Sequence, residues 1–156
     1  MAVTAEDKKR FFRRISLLFE DQLPFDRVLG MRVASVAEDK ASVTFDRRDD
    51  LIGNVFHQTL HGGVISSVLD AVGGLTALAS LVERAAGLPE EKLVAIFSQV
   101  GTIDIRVDYL RPGRGDRFTG SAWIMRSGRK VAVTRMELHA DSGLLVAVGT
   151  GTYMVG

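Results

Sequence analysis

Apolar positions recur with two periods along this chain. Near the N-terminus Phe11, Ile15, Leu18 and Phe19 fall at helical spacing, behind Thr4 as a cap and with Glu6 and Asp7 in the first turn. This predicts a helix over about residues 5–21, which Pro24 ends. Met31 to Ala37 and Ala41 to Asp46 read as two strands around the turn Glu38-Asp39-Lys40. An irregular stretch from Arg47 to Leu60 holds Gly53, Asn54 and His57. A long helix follows from about His61 to Ala86, stopped by Gly87 and Pro89. Beyond it the period becomes two. Ile103, Ile105, Val107 and Tyr109 alternate with Asp104, Arg106 and Asp108, the pattern of a half-buried strand. Pro112-Gly113 breaks that strand, and three more follow over Arg117–Met125, Lys130–Ala140 and Leu144–Met154, joined by hairpin-length turns. Helix, two strands, long helix, four strands is an α+β order, satisfied by an antiparallel sheet wrapped around a central helix. Residues 1–156 read as one domain, with no repeat or linker.

Composition narrows the function classes. The chain is 46% hydrophobic and 25% charged, so it should fold. Lys and Arg number 20 against 19 Asp and Glu, a net charge of +1 that gives no support for nucleic-acid binding. The absence of cysteine removes disulfides, thiolate metal sites and a cysteine nucleophile together. The opening MAVTAEDKKR lacks the apolar core of a secretory signal. The apolar stretch from Val64 to Val82 is interrupted by Asp70 and by several Ser and Gly residues, so stable membrane insertion is not expected. A cytoplasmic protein is the expectation.

Candidate chemistry gathers on the long helix. Gly62 and Gly63 open it, directly after His61. A helix N-terminus presents unpaired N–H groups and partial positive charge, and glycine lets a ligand approach that backbone closely. A developing oxyanion needs such an environment. Asp70 lies further along the helix, among Val68, Leu69, Ala71 and Val72. A carboxylate there is expensive to bury unless it is paired or used. Ordinary structural uses exist for both features: glycines at a helix start serve packing, and an Asp can face water. Gly73-Gly74 reads as a packing device that lets another element approach. Helix geometry adds a constraint. Gly62 and Asp70 stand about 12 Å apart along one helix, whereas groups acting on one carbonyl lie within roughly 3–4 Å of it. If both are catalytic, each site combines two chains, which predicts a symmetric homodimer.

The run Asn54-Val-Phe-His-Gln-Thr-Leu-His61-Gly62-Gly63-Val64, followed by Asp70, resembles the PaaI-like hotdog-fold acyl-CoA thioesterases. Gly101 to Gly113, Gly128 to Val133 and the ending Thr150 to Gly156 look closer still to the YigI-type members of that family. The similarity runs from about Leu23 to the end. It implies a hotdog fold assembled as dimers, often as dimers of dimers, that hydrolyses acyl-CoA thioesters without a metal or organic cofactor. Asp70 then matches the family's catalytic acid, as nucleophile or as base on water. Gly62 matches the backbone donor that polarises the carbonyl. Asn54 and His61 match polar residues lining it, and Thr102 matches a position that places water beside Asp70. Two departures stand out. Asn54 lies one residue further from His61 than the common spacing, so His57 could share its role. A moderately apolar insertion from Leu81 to Val100 separates Asp70 from Thr102 and is a candidate wall of the acyl pocket. YigI-type resemblance leans toward medium or long aliphatic acyl chains.

Basic residues collect in the turns of the second half, among them Arg111, Arg129 and Lys130, which could meet the phosphates of CoA or form an ordinary charged rim. His57 and His61 are four apart, but without a third obvious ligand a metal is not expected. Lys8, Lys9, Arg10, Arg13 and Arg14 could carry the first helix to a membrane surface, or let it cover the sheet or a dimer edge. Two other classes compete: a non-catalytic acyl-CoA-binding module on the same fold, which has no need of a carboxylate, and a hotdog dehydratase, for which the His-Gly-Gly…Asp order is unusual.

Overall fold

The computed structural model describes residues 3–156; Met1 and Ala2 of the opening segment lie outside the described residues. Helix α1 spans Ala5–Leu17 and starts with a reciprocal cap. The Asp7 N–H donates to the Thr4 hydroxyl and the Thr4 N–H donates to the Asp7 carboxylate, both at 3.1 Å. Phe11 and Ile15 are buried by this helix, as its periodicity predicts. Three of its five cations are tied down: Lys8 pairs with Glu38 and Glu83, Arg10 with Asp7, and Arg14 with Glu90. The helix therefore covers the core.

The end of this segment departs from expectation. The backbone widens over Leu18–Gln22 into a π-turn, closed by the Leu23 N–H on the Leu18 carbonyl at 3.1 Å. Pro24 does stop that turn, but it also begins a second helix, α2, over Pro24–Leu29. Proline lacks only a donor that the first helical position does not need. Gly30, at φ 71°, ends α2 in the left-handed conformation.

The six main strands are β1 (Arg32–Val36), β2 (Lys40–Asp46), β5 (Gly101–Tyr109), β6 (Arg117–Ser127), β7 (Val131–Ala140) and β8 (Leu145–Met154). They form one antiparallel sheet in the order β1-β2-β6-β7-β8-β5. Two short strands, β3 (Ile52–Asn54) and β4 (Thr59–Leu60), make a separate hairpin. The long helix α3 runs from Gly62 to Ala79 and packs across the sheet. Its Val68, Leu69, Val72 and Leu75 are fully buried, opposite Val43, Phe118, Met136 and Leu138. By length and composition α3 could cross a membrane, but 56% of it is buried inside the fold.

The long helix is shorter than its expected limit at Ala86. It ends at Ser80, whose hydroxyl donates to the Ala77 carbonyl at 2.7 Å and meets the Ser127 hydroxyl at 2.9 Å. A hydroxyl that competes for last-turn carbonyls favours a stop there. Val82–Ala85 forms a separate short helix, α4. A helix absent from the sequence reading, α5, occupies Glu90–Phe97 inside the insertion. Glu90 and Glu91 suit its N-terminus, and its Phe97 ring lies 6.0 Å from that of Phe11.

The two sheet edges differ. On β1 the Val33 N–H is taken by the Glu20 carboxylate at 2.6 Å, so the π-turn covers that edge. On β5 Ile105 and Val107 are half-buried, whereas Ile103 and Tyr109 are 53% and 54% exposed. The alternation of that strand therefore marks an open edge with apolar side chains on it.

Gly73 leaves the space between helix and sheet that the Tyr153 side chain fills. A Cβ there would stand 2.2 Å from the Tyr153 hydroxyl, whereas at Gly74 the nearest side-chain atom would be 3.6 Å away. Gly73→Ala should destabilise the fold by about 1–3 kcal/mol. Gly74→Ala should be neutral or mildly stabilising, since alanine is the better helix former. Urea midpoints at unchanged m-value test the contrast.

Candidate active site

The start of α3 is fixed from three directions. The Leu60 N–H donates to the Gly113 carbonyl at 3.0 Å and the His61 N–H to the Leu51 carbonyl at 2.9 Å. Strand β3 presses against the same point, where a Cβ on Gly53 would stand 2.7 Å from the His61 Cα. His61 caps the helix with its own ring, as Nδ1 accepts the Gly63 N–H at 2.8 Å. That nitrogen therefore carries no proton. The His61 carbonyl takes the Val64 and Ile65 N–H groups. The Gly62 N–H is left without a partner among the described residues. On its other side the Gly62 carbonyl accepts the Tyr109 hydroxyl at 3.0 Å and the Ser66 hydroxyl at 3.1 Å. The free donor thus belongs to a rigid peptide at the positive end of an 18-residue helix.

Asp70 stands half-buried two turns further on. Its Oδ1 accepts the Thr102 hydroxyl of the same chain at 2.8 Å, a direct contact where the resemblance implied a residue that places water. The carboxylate borders a cavity of about 250 Å³ whose apolar wall includes Phe19, Leu23, Phe25 and Val100. Of the insertion, Val100 reaches this wall, while Leu88 and Leu93 face α1 instead.

The predicted residues fall into four groups. Asp70 joins Thr102 in the cavity. His61 and Gly63 border a neighbouring hollow that shares Phe25 and Ser67 with it. Gly62 faces a different hollow, with Tyr109, Arg111 and Pro112. Gly62 and Asp70 of one chain therefore open onto separate spaces, as the helix arithmetic requires. Asn54 and His57 sit on the exposed β3–β4 hairpin, where the Asn54 Oδ1 accepts the Phe56 and His57 N–H groups at 3.0 and 3.1 Å. That bond holds the turn and leaves the Asn54 amide donors outward. His57 lies with Arg47 and Arg114, away from both glycines, so a role shared with Asn54 beside Gly62 is not built within one chain.

The basic residues are also divided. Arg111 stands beside Gly62 and donates to the Leu145 carbonyl at 3.1 Å. Arg129 and Lys130 lie past the other end of α3, where the Arg84 guanidinium donates to the Arg129 carbonyl at 2.9 Å. A helix about 27 Å long separates the two sets. One chain does not gather them into a single phosphate site.

Three residues at the site carry no signal in the sequence pattern. Tyr109 reads there as one more apolar strand position. Tyr153 is buried, and its hydroxyl donates to the Asp70 backbone carbonyl at 3.0 Å. Burial, and next the Asp70 charge, push that hydroxyl well above the usual tyrosine range, so it remains a donor. Asp26 lies on α2, only 7% exposed, and borders the Asp70 cavity. Its Oδ2 is shielded from solvent and has no hydrogen-bond partner. Burial first, and the Asp70 charge second, push the Asp26 carboxyl up to about 6.

The sequence profile of the thioesterase superfamily matches residues 57–147. The chain is 45% identical over 139 residues to the medium/long-chain acyl-CoA thioesterase YigI of Escherichia coli K12, a match covering 89% of this chain and 90% of that protein. A crystal structure from Shewanella oneidensis, described as related to the thioesterase superfamily, superposes with a TM-score of 0.90 at 46% identity, over 96% of this chain and 97% of the other. The PaaI protein of E. coli shares the fold, with a TM-score of 0.74 at 20% identity, over 97% and 95% of the two chains. The sheet around α3 is thus the hotdog arrangement.

Asp26 makes stability depend on pH. Its folded-state value, about 6, lies above the ordinary 3.8, so the folded chain holds this proton more tightly than the unfolded chain. The resulting penalty is absent below the unfolded value and complete once pH has risen through the folded one. Asp26→Asn should therefore leave stability nearly unchanged at about pH 4 and raise it, by roughly 3 kcal/mol, at about pH 8. Urea titrations at the two pH values measure the difference.

Proposed function

The chain belongs to the thioesterase superfamily and is a thioester hydrolase; on that premise we propose that it hydrolyses a medium- or long-chain fatty acyl-CoA to the free acid and CoA, at sites each built by two chains. The observation that carries this reading is the Asp70 carboxylate, held by the Thr102 hydroxyl at 2.8 Å on the wall of an apolar cavity. One carboxylate oxygen is fixed and the group stays ready for chemistry. Acyl-CoA as substrate is supported by the 45% identity to YigI, and an aliphatic acyl chain by Phe19, Leu23 and Phe25 along the cavity.

Hydrolysis needs a group that attacks or activates water and a donor for the oxyanion. Asp70 supplies the first, either by attacking the carbonyl carbon to give a mixed anhydride or by taking a proton from the attacking water. In both routes the C–S bond breaks and CoA leaves as thiolate, which asks for no metal or organic cofactor. The Gly62 N–H suits the second task, being unpartnered at a helix N-terminus. Since Gly62 and Asp70 of one chain open onto separate spaces, Gly62 of one chain serves the carbonyl on which Asp70 of a second chain acts. The open β5 edge, with Ile103 and Tyr109 exposed, supports a homodimer, and dimers of dimers follow the family habit. Asn54 and His61 are assigned to line the carbonyl by the family resemblance, with His61 and Gly63 opening onto the hollow beside the Asp70 cavity and not onto that of Gly62. Arg111 beside Gly62 suits the CoA phosphates. Arg129 and Lys130 reach the same nucleotide only from another chain, and His57 only at the rim.

Asp70→Asn should abolish thiol release from acyl-CoA while leaving folding and chain pairing intact; a folded, active variant would remove Asp70 from the mechanism. The shared site has its own test. Gly62→Val and Asp70→Asn chains, each inactive alone, are mixed in equal amounts and allowed to exchange. Half of the dimers are then mixed, each with one intact site, so activity should return to about a quarter of wild type. No recovery on confirmed exchange would mean that each chain holds a whole site.

A further inference from the structure

We propose that Asp26 is a positioning residue for the reaction: in the cavity it shares with Asp70 it carries a proton, and on losing it adds a negative charge that strengthens Asp70 as a base or nucleophile. The inference rests on the reading of Asp70 as the group that acts on the thioester.

Two carboxylates reach one cavity from two elements, Asp26 from α2 and Asp70 from α3. No Lys, Arg or His borders it among the described residues. The π-turn contributes Phe19, and β5 contributes the uncharged Thr102. From β8 comes Tyr153, the remaining titratable group. Of the three hydroxyls on the cavity, Thr102 is committed to the Asp70 carboxylate, Tyr153 to the Asp70 backbone carbonyl and Ser67 to the Gly63 carbonyl. Asp26 receives nothing comparable. It is 7% exposed, and its Oδ2 lies out of solvent without a partner. A single proton brought to the pair therefore resides on Asp26, because the donors favour charge on Asp70 and nothing favours it on Asp26. The rise of the Asp26 carboxyl to about 6 agrees with this order.

Ionisation of Asp26 releases its proton to solvent and forms no bond to substrate. It puts a second negative charge into a poorly screened cavity. Electron density on the Asp70 oxygens is then held less tightly, and they accept a proton or attack carbon more readily. Position is secured by the backbone: Pro24 starts α2, Gly30 ends it, and Glu20 of the preceding π-turn is bound to β1.

The test compares kcat across pH for wild type, Asp26→Asn, Asp26→Glu and Asp70→Asn at saturating acyl-CoA. Wild-type kcat should rise through an apparent value near 6. Asp26→Asn should lose that limb and run on the order of tenfold below wild type at about pH 8, with KM unchanged. Asp26→Glu should restore a limb. A purely structural role would lower stability or raise KM and leave the shape of the profile alone. If Asp70→Asn is inactive and Asp26→Asn keeps the wild-type profile, the role of Asp26 is overturned and the thioesterase reading stands. If Asp70→Asn is folded and active, both fall. Infrared spectra of wild type and Asp70→Asn read the coupling directly. The carbonyl band of the protonated Asp26 carboxyl should vanish near pH 6 in wild type and at lower pH in Asp70→Asn. The same transition in both overturns that role even if Asp26→Asn does not fold.

Discussion

Tyr153 joins the core of this protein to its chemistry. Its ring fills the space that Gly73 leaves on α3, and a side chain on Gly151 would meet the same hydroxyl at 2.6 Å. That hydroxyl donates to the Asp70 carbonyl. One buried side chain therefore sets the distance between helix and sheet and holds the turn that presents the carboxylate. Thr102, opposite Tyr153 in the β5–β8 ladder, completes the arrangement from the neighbouring strand. The position of Asp70 is thus inherited from core packing, and tolerances there are those of a close-packed interior.

The same helix carries a free amide at one end and a carboxylate two turns along. A straight α-helix cannot bend these onto one carbonyl, and the sheet packed along it leaves no room for a kink. The fold can use both groups on one substrate only by meeting a second copy. Under the proposed pairing of chains, the open β5 edge and the unpartnered Gly62 N–H would serve the same site. The covered β1 edge shows that the chain closes an edge with its own side chains where no neighbour is needed.

Local chemistry made much of this legible. The Thr4 cap, the two strand periods, the glycines after His61 and the lone carboxylate on an apolar helix are each visible within a few residues. That Thr102 belongs near Asp70 comes from family resemblance and not from pattern, and the direct hydrogen bond between them is visible only in the structure. What escaped was non-local or double-valued. Pro24 both stops and starts a helix, and only the stop shows in the local pattern, which hides α2. Asp26 was lost with it, because its burial exists only once α2 lies against α3. Ser80 ended α3 through a partner on β6, which no window around residue 80 contains. The separation of Arg111 from Arg129 and Lys130 likewise follows from the length of α3 in space, whereas in sequence all three belong to one basic region.

The exposed β5 strand also has a meaning for anyone wishing to inhibit or handle this protein. Its outer row of backbone donors and acceptors is a template for any extended segment of suitable sequence. An extended peptide patterned on residues 103–109 could occupy that edge without resembling acyl-CoA at all. It would work by competing with a neighbouring chain, and its potency would fall as protein concentration rises.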